Sequence, residues 1–314
     1  MKKIQVLVAA LGLGLGGAVW ADSANVVIDG NIATGVTVGR DTSGNSFTNM
    51  RSDSNLGFSG SEDLGNGSVA YWRVGTIVDS DGDGAVDFAN DDTFIGIKGG
   101  WGNLTLGRAG APWLSDPARA FTFVDVGTAD MVDGFRDYTL IGSNEIVYTS
   151  PKMSGVNFIL GTGSIDHASS DGNKASWIAG VRYDGDAGQY AGITFLEGKT
   201  SKNYRGANAF GGFKWGAATI DLALTHLSVS SSDDKFTSFG ASIAYPISDK
   251  MSVLGRVLHQ REYNSSSSVK VNQLALGLNY ALGKRTTLSM EFATQKQTAL
   301  KSATVFAVGL NQDF

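Results

Sequence analysis

The chain has 314 residues, a formal net charge of −5, no cysteine, only four prolines and 42 glycines. Without cysteine there can be no thiolate metal site and no cysteine nucleophile. The acidic balance, with no basic stripe to replace phosphate counterions, excludes nucleic acid as a partner.

The first element in chain order is a leader. Lys2 and Lys3 form a positive start, Ile4 to Val19 an apolar run, and Val19-Trp20-Ala21 a cleavage site, so residues 1–21 read as a secretory signal peptide. A short membrane anchor is the alternative, but the run falls below the ~18–20 residues a spanning helix needs. No later apolar run reaches that length. Residues 22–314 read as one domain; loss of Lys2 and Lys3 leaves 23 basic against 30 acidic residues, a charge of −7.

Sixteen strands follow, of which the first is Val26 to Arg40. The second, Asn55 to Ser61, runs into a turn at Glu62-Asp63-Leu64-Gly65-Asn66-Gly67. The third, Ser68 to Ile77, sets Ala70, Trp72 and Val74 against Tyr71, Arg73 and Gly75. Thr93–Gly99 and Asn103–Ala109 form the next hairpin. After the aperiodic stretch Gly110 to Gly142, strands resume at Asn144–Ser150, Gly155–Ser164, Ala175–Asp184, Tyr190–Thr200, Arg205–Trp215 and Ala218–Ser230. The last five are Lys235–Pro246, Met251–Asn264, Val269–Leu282, Thr286–Thr298 and Ser302–Phe314.

The alternation within these strands sets the fold class. In the last strand Phe306, Val308 and Leu310 oppose Ala307, Gly309 and Asn311; in the strand before it Leu288, Met290 and Phe292 oppose Ser289, Glu291 and Ala293. Almost no strand is apolar on both faces, as the core of a soluble sheet would require. The pattern fits an all-β, antiparallel transmembrane barrel with lipid outside and water inside; a soluble β-sandwich is the alternative. A charge facing lipid at mid-depth costs ~2–4 kcal/mol, so Arg73, Arg182, Lys214, Asp221 and Glu291 should face water. Trp72, Trp177, Tyr183, Trp215, Tyr245, Tyr280 and Phe314 suit interfacial girdles. Tight turns such as Gly100-Trp101-Gly102 and Gly283-Lys284-Arg285 alternate with longer polar loops, as between the inner and outer rims of an outer-membrane barrel.

The segment Ser54-Asn55-Leu56-Gly57-Phe58-Ser59-Gly60-Ser61-Glu62-Asp63-Leu64-Gly65-Asn66-Gly67 resembles the second strand and first periplasmic turn of Gram-negative general porins of the β-proteobacterial and neisserial type. Phe94 to Gly102, Leu106-Gly107-Arg108, Phe135-Arg136, Gly283 to Thr286 and the terminal Phe314 continue the likeness. The resemblance implies a sixteen-stranded, trimeric, water-filled barrel in the outer membrane of a Gram-negative cell. Its partners would be two further copies of itself, the lipid bilayer with its lipopolysaccharide, and small hydrophilic solutes and ions. The expected function is passive diffusion through a pore with a charged constriction, without catalysis. A substrate-specific channel is the alternative, and an outer-membrane barrel enzyme a second one.

The constriction is expected from the long loop, Gly110 to Gly142. A structureless loop of that length calls for a function, and folding into the lumen would supply one. It carries Asp116, Asp125, Asp130, Asp133 and Asp137, with Arg73, Arg108 and Arg136 as opposing bases. Such an arrangement sets a transverse field across the opening. Strand periodicity alone aligns Arg108 with Leu104 and Leu106, so a lumen orientation requires a bulge or a strand end. Asn55 and Ser59 stand where relatives carry basic residues, which puts anion selectivity in doubt. The lumen faces read from the sequence are mainly Gly, Ala, Ser and Asn.

The second outer loop, Asp79-Ser80-Asp81-Gly82-Asp83-Gly84-Ala85-Val86-Asp87, follows the calcium-loop pattern D-x-D-x-D-G-x-x-D, with carboxylates at positions 1, 3, 5 and 9 and glycine at 6. The twelfth position is Asn90 instead of a bidentate glutamate. No cofactor is required for a pore, so calcium on Asp79, Asp81, Asp83 and Asp87 is weighed against a solvated acidic loop. His167, His226 and His259 are dispersed without metal spacing, and no serine lies in a nucleophile elbow.

Overall fold

A computed structural model describes residues 26–78, 87–108, 143–164, 176–199, 203–229, 234–263 and 268–314. Their regular structure is all extended. The segments are β1 (Val27–Arg40), β2 (Ser46–Ser52), β3 (Ser54–Gly65), β4 (Ser68–Val78), β5 (Thr93–Gly99), β6 (Gly102–Arg108), β7 (Ser143–Thr149), β8 (Val156–Ser164) and β9 (Ser176–Asp184). They continue as β10 (Tyr190–Lys199), β11 (Asn203–Trp215), β12 (Ala218–Val229), β13 (Asp234–Ser248), β14 (Met251–Tyr263), β15 (Ser268–Ala281), β16 (Thr286–Gln297) and β17 (Ala303–Asp313). Each pairs antiparallel with its neighbours in one sheet, and β17 pairs with β1, so the sheet closes and no edge is exposed.

Seventeen segments make sixteen staves. β2 and β3 both pair with β1, and the register runs unbroken from Gly35 opposite Arg51 to Asn31 opposite Asn55. They are two halves of one strand, interrupted at Asp53. There the Ser54 hydroxyl bonds both the N–H (3.0 Å) and the carbonyl (3.1 Å) of Ala33, and so takes over part of the backbone ladder. The second strand is thus longer than the sequence reading of Asn55 to Ser61. The missed half hides its alternation: Phe47 lies on the inner face, and of the outward residues Ser46, Thr48, Met50 and Ser52 only Met50 is apolar.

The register fixes which side chains face out. Val36, Val38, Leu222, Leu224, Ile243, Leu274, Leu276, Phe292, Phe306 and Leu310 are all exposed on the outer face, as a lipid solvent requires. Trp177, Tyr183, Trp215, Tyr245, Tyr280 and Phe314 are exposed with them, in the girdle positions expected. Arg73, Arg182, Lys214, Asp221 and Glu291 all fall on the opposite, inner face.

Short turns gather at one rim, including Asn66-Gly67, where φ is 53° and 73°. Both ends of the described chain lie there too: the Phe314 N–H donates to the Gly30 carbonyl (3.1 Å), and a Cβ on Gly30 would sit 2.9 Å from the Phe314 ring. That rim is the periplasmic one. The segments 79–86, 109–142 and 165–175, which carry most of the second outer loop and the long loop, lie outside the described residues.

Candidate functional site in the barrel lumen

The inner wall is where a solute would travel, and its construction depends on glycine. Arg73 on β4 reaches across β3 to Asp29 on β1, its two terminal nitrogens bonding the two carboxylate oxygens at 2.8 and 2.7 Å. The path runs over Gly57, where a Cβ would come within 2.3 Å of the guanidinium. Tyr71 likewise passes over Gly96 to reach Asn103 (2.6 Å) and Thr105 (2.9 Å) on β6. Tyr190 passes over Gly212 and donates to Asp221 on β12 at 2.6 Å. In each case a long side chain lies flat on the wall because the strand beneath lacks a Cβ. The wall is tied together three strands at a time and the lumen is kept clear.

The Tyr190 link belongs to a chain of polar contacts near the periplasmic rim. Lys152 pairs with Asp184 at 2.9 Å, Asp184 with Arg182 at 2.7 Å, and the Arg182 guanidinium lies 4.7 Å from the centre of the Tyr190 ring. In a ring of sixteen staves, β10 stands half a turn from β1. This chain therefore faces the Arg73–Asp29 pair across the pore. Higher on the wall, Arg256 on β14 and Glu291 on β16 pair at 3.5 Å with both side chains about 1% exposed. The small residues Ala275 and Gly277 of β15 lie between them.

Of the residues expected at a constriction, Arg73 lies on the inner wall, already neutralised by Asp29. Arg108 ends β6 in line with Leu104 and Leu106, and its guanidinium donates to the Asn90 carbonyl. Asp116, Asp125, Asp130, Asp133 and Arg136 lie outside the described residues. Arg51 is an inner-wall base that the sequence reading omitted, opposite Gly35. It sits four residues before Asn55 on the same face. The signal was available in the alternation of Asn49 and Arg51 with Met50, once the strand is started at Ser46.

The second outer loop keeps Asp79, Asp81 and Asp83 outside the described residues, while Asp87 lies within them. Asn90 Oδ1 accepts the Ile77 N–H at 2.8 Å and so closes the loop onto β4. Among the described residues no group of three or more His, Cys, Asp or Glu side chains is placed to hold a metal ion.

The inner wall is less uniformly polar than the sequence reading of Gly, Ala, Ser and Asn. Val147, Ile159, Ile178, Phe210, Ala223, Leu258 and Val271 form a buried apolar cluster on it, and Leu196, Leu227 and Phe236 form a second. The rings of Phe210 and Tyr204 lie against Gly192 and Gly198. They flatten onto the wall and do not project as a ladder.

A sixteen-stave closed barrel with lipid outside and a charged wall inside matches known proteins in both sequence and shape. A family model described as Gram-negative porin matches residues 6–300. The chain belongs to the Gram-negative porin family. It is 27% identical over 267 residues to the major outer membrane protein P.IB of Neisseria meningitidis serogroup B, covering 74% of this chain and 73% of that one. Its fold is similar to an anion-selective porin from Comamonas acidovorans, with a TM-score of 0.75 at 19% identity over 93% of this chain and 100% of that one. It is also similar to Salmonella typhi OmpF in complex with daunomycin, with a TM-score of 0.74 at 11% identity over 94% and 99%. This porin lies in the outer membrane and is a general diffusion porin.

Proposed function

We propose that this porin is a trimeric, non-catalytic pore that favours cations. The observation that carries the selectivity is the charge of the described inner wall. Asp29, Asp63, Glu145, Asp184, Asp221, Asp234, Glu262, Glu291 and Asp313 face inward against Arg51, Arg73, Lys98, Arg182, Lys214 and Arg256. Three of the inward bases, Arg73, Arg182 and Arg256, are held by carboxylates. The acidic long loop would add Asp116, Asp125, Asp130 and Asp133 to the same side of the balance if it enters the lumen, with Arg136 as the base set against it, since Arg108 aligns with the outward Leu104 and Leu106. Trimeric assembly is supported by the family and by a structural neighbour described as the trimer form of OmpT of Vibrio cholerae, with a TM-score of 0.68. Lipopolysaccharide is the expected neighbour outside the barrel.

The test is the reversal potential of mature protein in a planar bilayer under a potassium chloride gradient. A cation-signed potential that shrinks at 1 M salt is expected, since screening shortens to about 3 Å there. An anion-signed potential would overturn the selectivity, and no conductance at all would overturn the pore. The second reading is a solute-specific channel, against which the inner-wall rings count because those of Tyr190, Tyr204 and Phe210 lie flat over Gly212, Gly198 and Gly192. Liposome swelling separates the two: rates falling smoothly with sugar size fit general diffusion, whereas saturable uptake of one solute fits specificity.

A further inference from the structure

The inner face of β5 alternates Phe94, Gly96 and Lys98, and all three act on one ring from β4. Tyr71 lies opposite Gly96 and crosses it, where a Cβ would come within 2.4 Å of the ring. The Tyr71 hydroxyl donates to Asn103 Oδ1 at 2.6 Å and meets the Thr105 hydroxyl at 2.9 Å, so the ring is pinned at its far end. The Phe94 ring stands 5.9 Å away at 74°, an edge-on arrangement. Together the two rings form an L-shaped apolar shelf. The Lys98 ammonium lies over the Tyr71 ring, 5.3 Å from its centre. The shelf sits just above the short turn that joins Gly99 to Gly102, at the periplasmic end of the pore.

Lys98 is exposed, while Tyr71 and Phe94 are half-buried. The inward bases Arg73, Arg182 and Arg256 are each claimed by a carboxylate. Among the described residues no carboxylate lies within ion-pair distance of Lys98. The residues directly opposite it, Val69 and Asn103, are uncharged. Next along that row is Asp63, and its carboxylate accepts the Gly65 N–H at 2.8 Å. The ammonium is thus met by a ring face alone. Such a contact is weak at an exposed site, and a charge-assisted bond to a carboxylate displaces it.

We propose that this shelf is a binding station for small aromatic carboxylates passing through the pore. The Lys98 ammonium leaves the Tyr71 face to pair with the carboxylate, and the solute ring takes its place, offset over Tyr71 and edge-on to Phe94. Tyr71 is held by its two bonds before the solute arrives, so little order is lost on binding. An aliphatic acid of equal charge gains the ammonium and forgoes the ring contacts. One such shelf delays one class of anion and leaves the pore open to other solutes. The inference rests on the open-pore reading and adds a solute class to it.

The test uses the full mature protein in a planar bilayer, with sodium benzoate as the probe and sodium cyclohexanecarboxylate as a control of equal charge and similar size. Potassium chloride conductance without either acid reports on the pore itself, so failure of the pore and failure of the station are distinguishable. Benzoate should add saturable current noise, with a half-saturation roughly three- to tenfold below that of the control, the worth of one aromatic pair. Lys98→Gln should raise the half-saturation of both acids by up to about fivefold, as for an exposed ion pair, and Lys98→Arg should restore it. Phe94→Leu should erase the preference for benzoate and leave the control unchanged. Heat-modifiable gel mobility shows that each variant is folded. Equal half-saturations for the two acids in wild type would reduce the shelf to a simple anion site and overturn the proposal. A benzoate response untouched by Lys98→Gln would place the binding elsewhere, and a preference that survives Phe94→Leu would remove the shelf from it; either result overturns the proposal. So does the absence of benzoate noise in channels that conduct potassium chloride normally.

Discussion

Arg73 and Asp29 are 44 residues apart and two strands apart, yet they meet through two bonds of 2.8 and 2.7 Å laid over Gly57. The pair makes a pore wall locally neutral at a position where the sequence by itself offers a lone arginine. Arg73→Ala should uncover the Asp29 carboxylate and shift the reversal potential further towards cations. Asp29→Asn should shift it the other way. The double variant should return close to wild type if the two charges act only through each other. Stability should change little, by about 0–1 kcal/mol, because the pair is partly open to water, with 25% and 39% side-chain exposure.

Gly57 itself is a sharper probe. A valine there would occupy the path of the guanidinium and force Arg73 into the lumen. Gly57→Val should lower single-channel conductance while the barrel stays folded. An unchanged conductance would mean that Arg73 does not use this route.

Tyr190 and Asp221 make the same kind of bridge on the opposite wall. Tyr190→Phe should cost about 0.5–1.5 kcal/mol of thermal stability, the value of one hydrogen bond. Gly212→Ala should cost at least as much, since a Cβ there would come within 2.4 Å of both the Asp221 carboxylate and the Tyr190 ring. Melting in detergent, followed by loss of sheet signal, measures both.

Arg256 and Glu291 are withdrawn from water, and removing one partner leaves a buried charge. Glu291→Ala should destabilise the barrel by ~3–5 kcal/mol, whereas Arg256→Met with Glu291→Leu should cost far less. Comparable losses in the single and double variants would show that the pair is not the source of the penalty.

Asp41 caps the outer turn between β1 and β2. Its carboxylate accepts N–H groups from Asn45 at 2.8 Å and Ser43 at 2.9 Å, and these bonds, led by Asn45, hold its pKa below the ordinary carboxylate value. A depressed pKa contributes order that is full above the unfolded value of about 3.9 and is lost as pH falls through the lower folded value. Amide exchange at residues 43–45 should therefore speed up relative to the neighbouring strands below about pH 3.9. Asp41→Ala should show fast exchange at neutral pH with no such step.

Asn90 bears on the calcium expectation. Its side-chain oxygen is already bonded to the Ile77 N–H, so a cation in the loop would rely on Asp79, Asp81, Asp83 and Asp87. Binding should then be weak, about 10⁻⁴–10⁻³ M, as in extracellular calcium modules. Millimolar calcium should raise the temperature of trimer dissociation, and Asp81→Ala with Asp83→Ala should abolish the rise. Equal dissociation temperatures with and without calcium would leave the loop a solvated acidic segment.

The sequence by itself determined the class of the fold. A two-residue period with apolar residues on one side, as in Phe306, Val308 and Leu310, can satisfy a lipid solvent only if the sheet closes. It also determined that Arg182, Asp221 and Glu291 face water, because their parity opposes that of their apolar neighbours. What it left open was every relation that depends on closure. The pairing of β1 with β17 and the meeting of Arg73 with Asp29 join residues far apart in the chain, and local periodicity carries no information about such distances. The role of glycine was open for the same reason. Gly57, Gly96 and Gly212 look like weak points in strands until the neighbouring strand lays an arginine or a tyrosine across them. The facing of Arg261 and Lys270 was likewise fixed only by the register of β14 against β15.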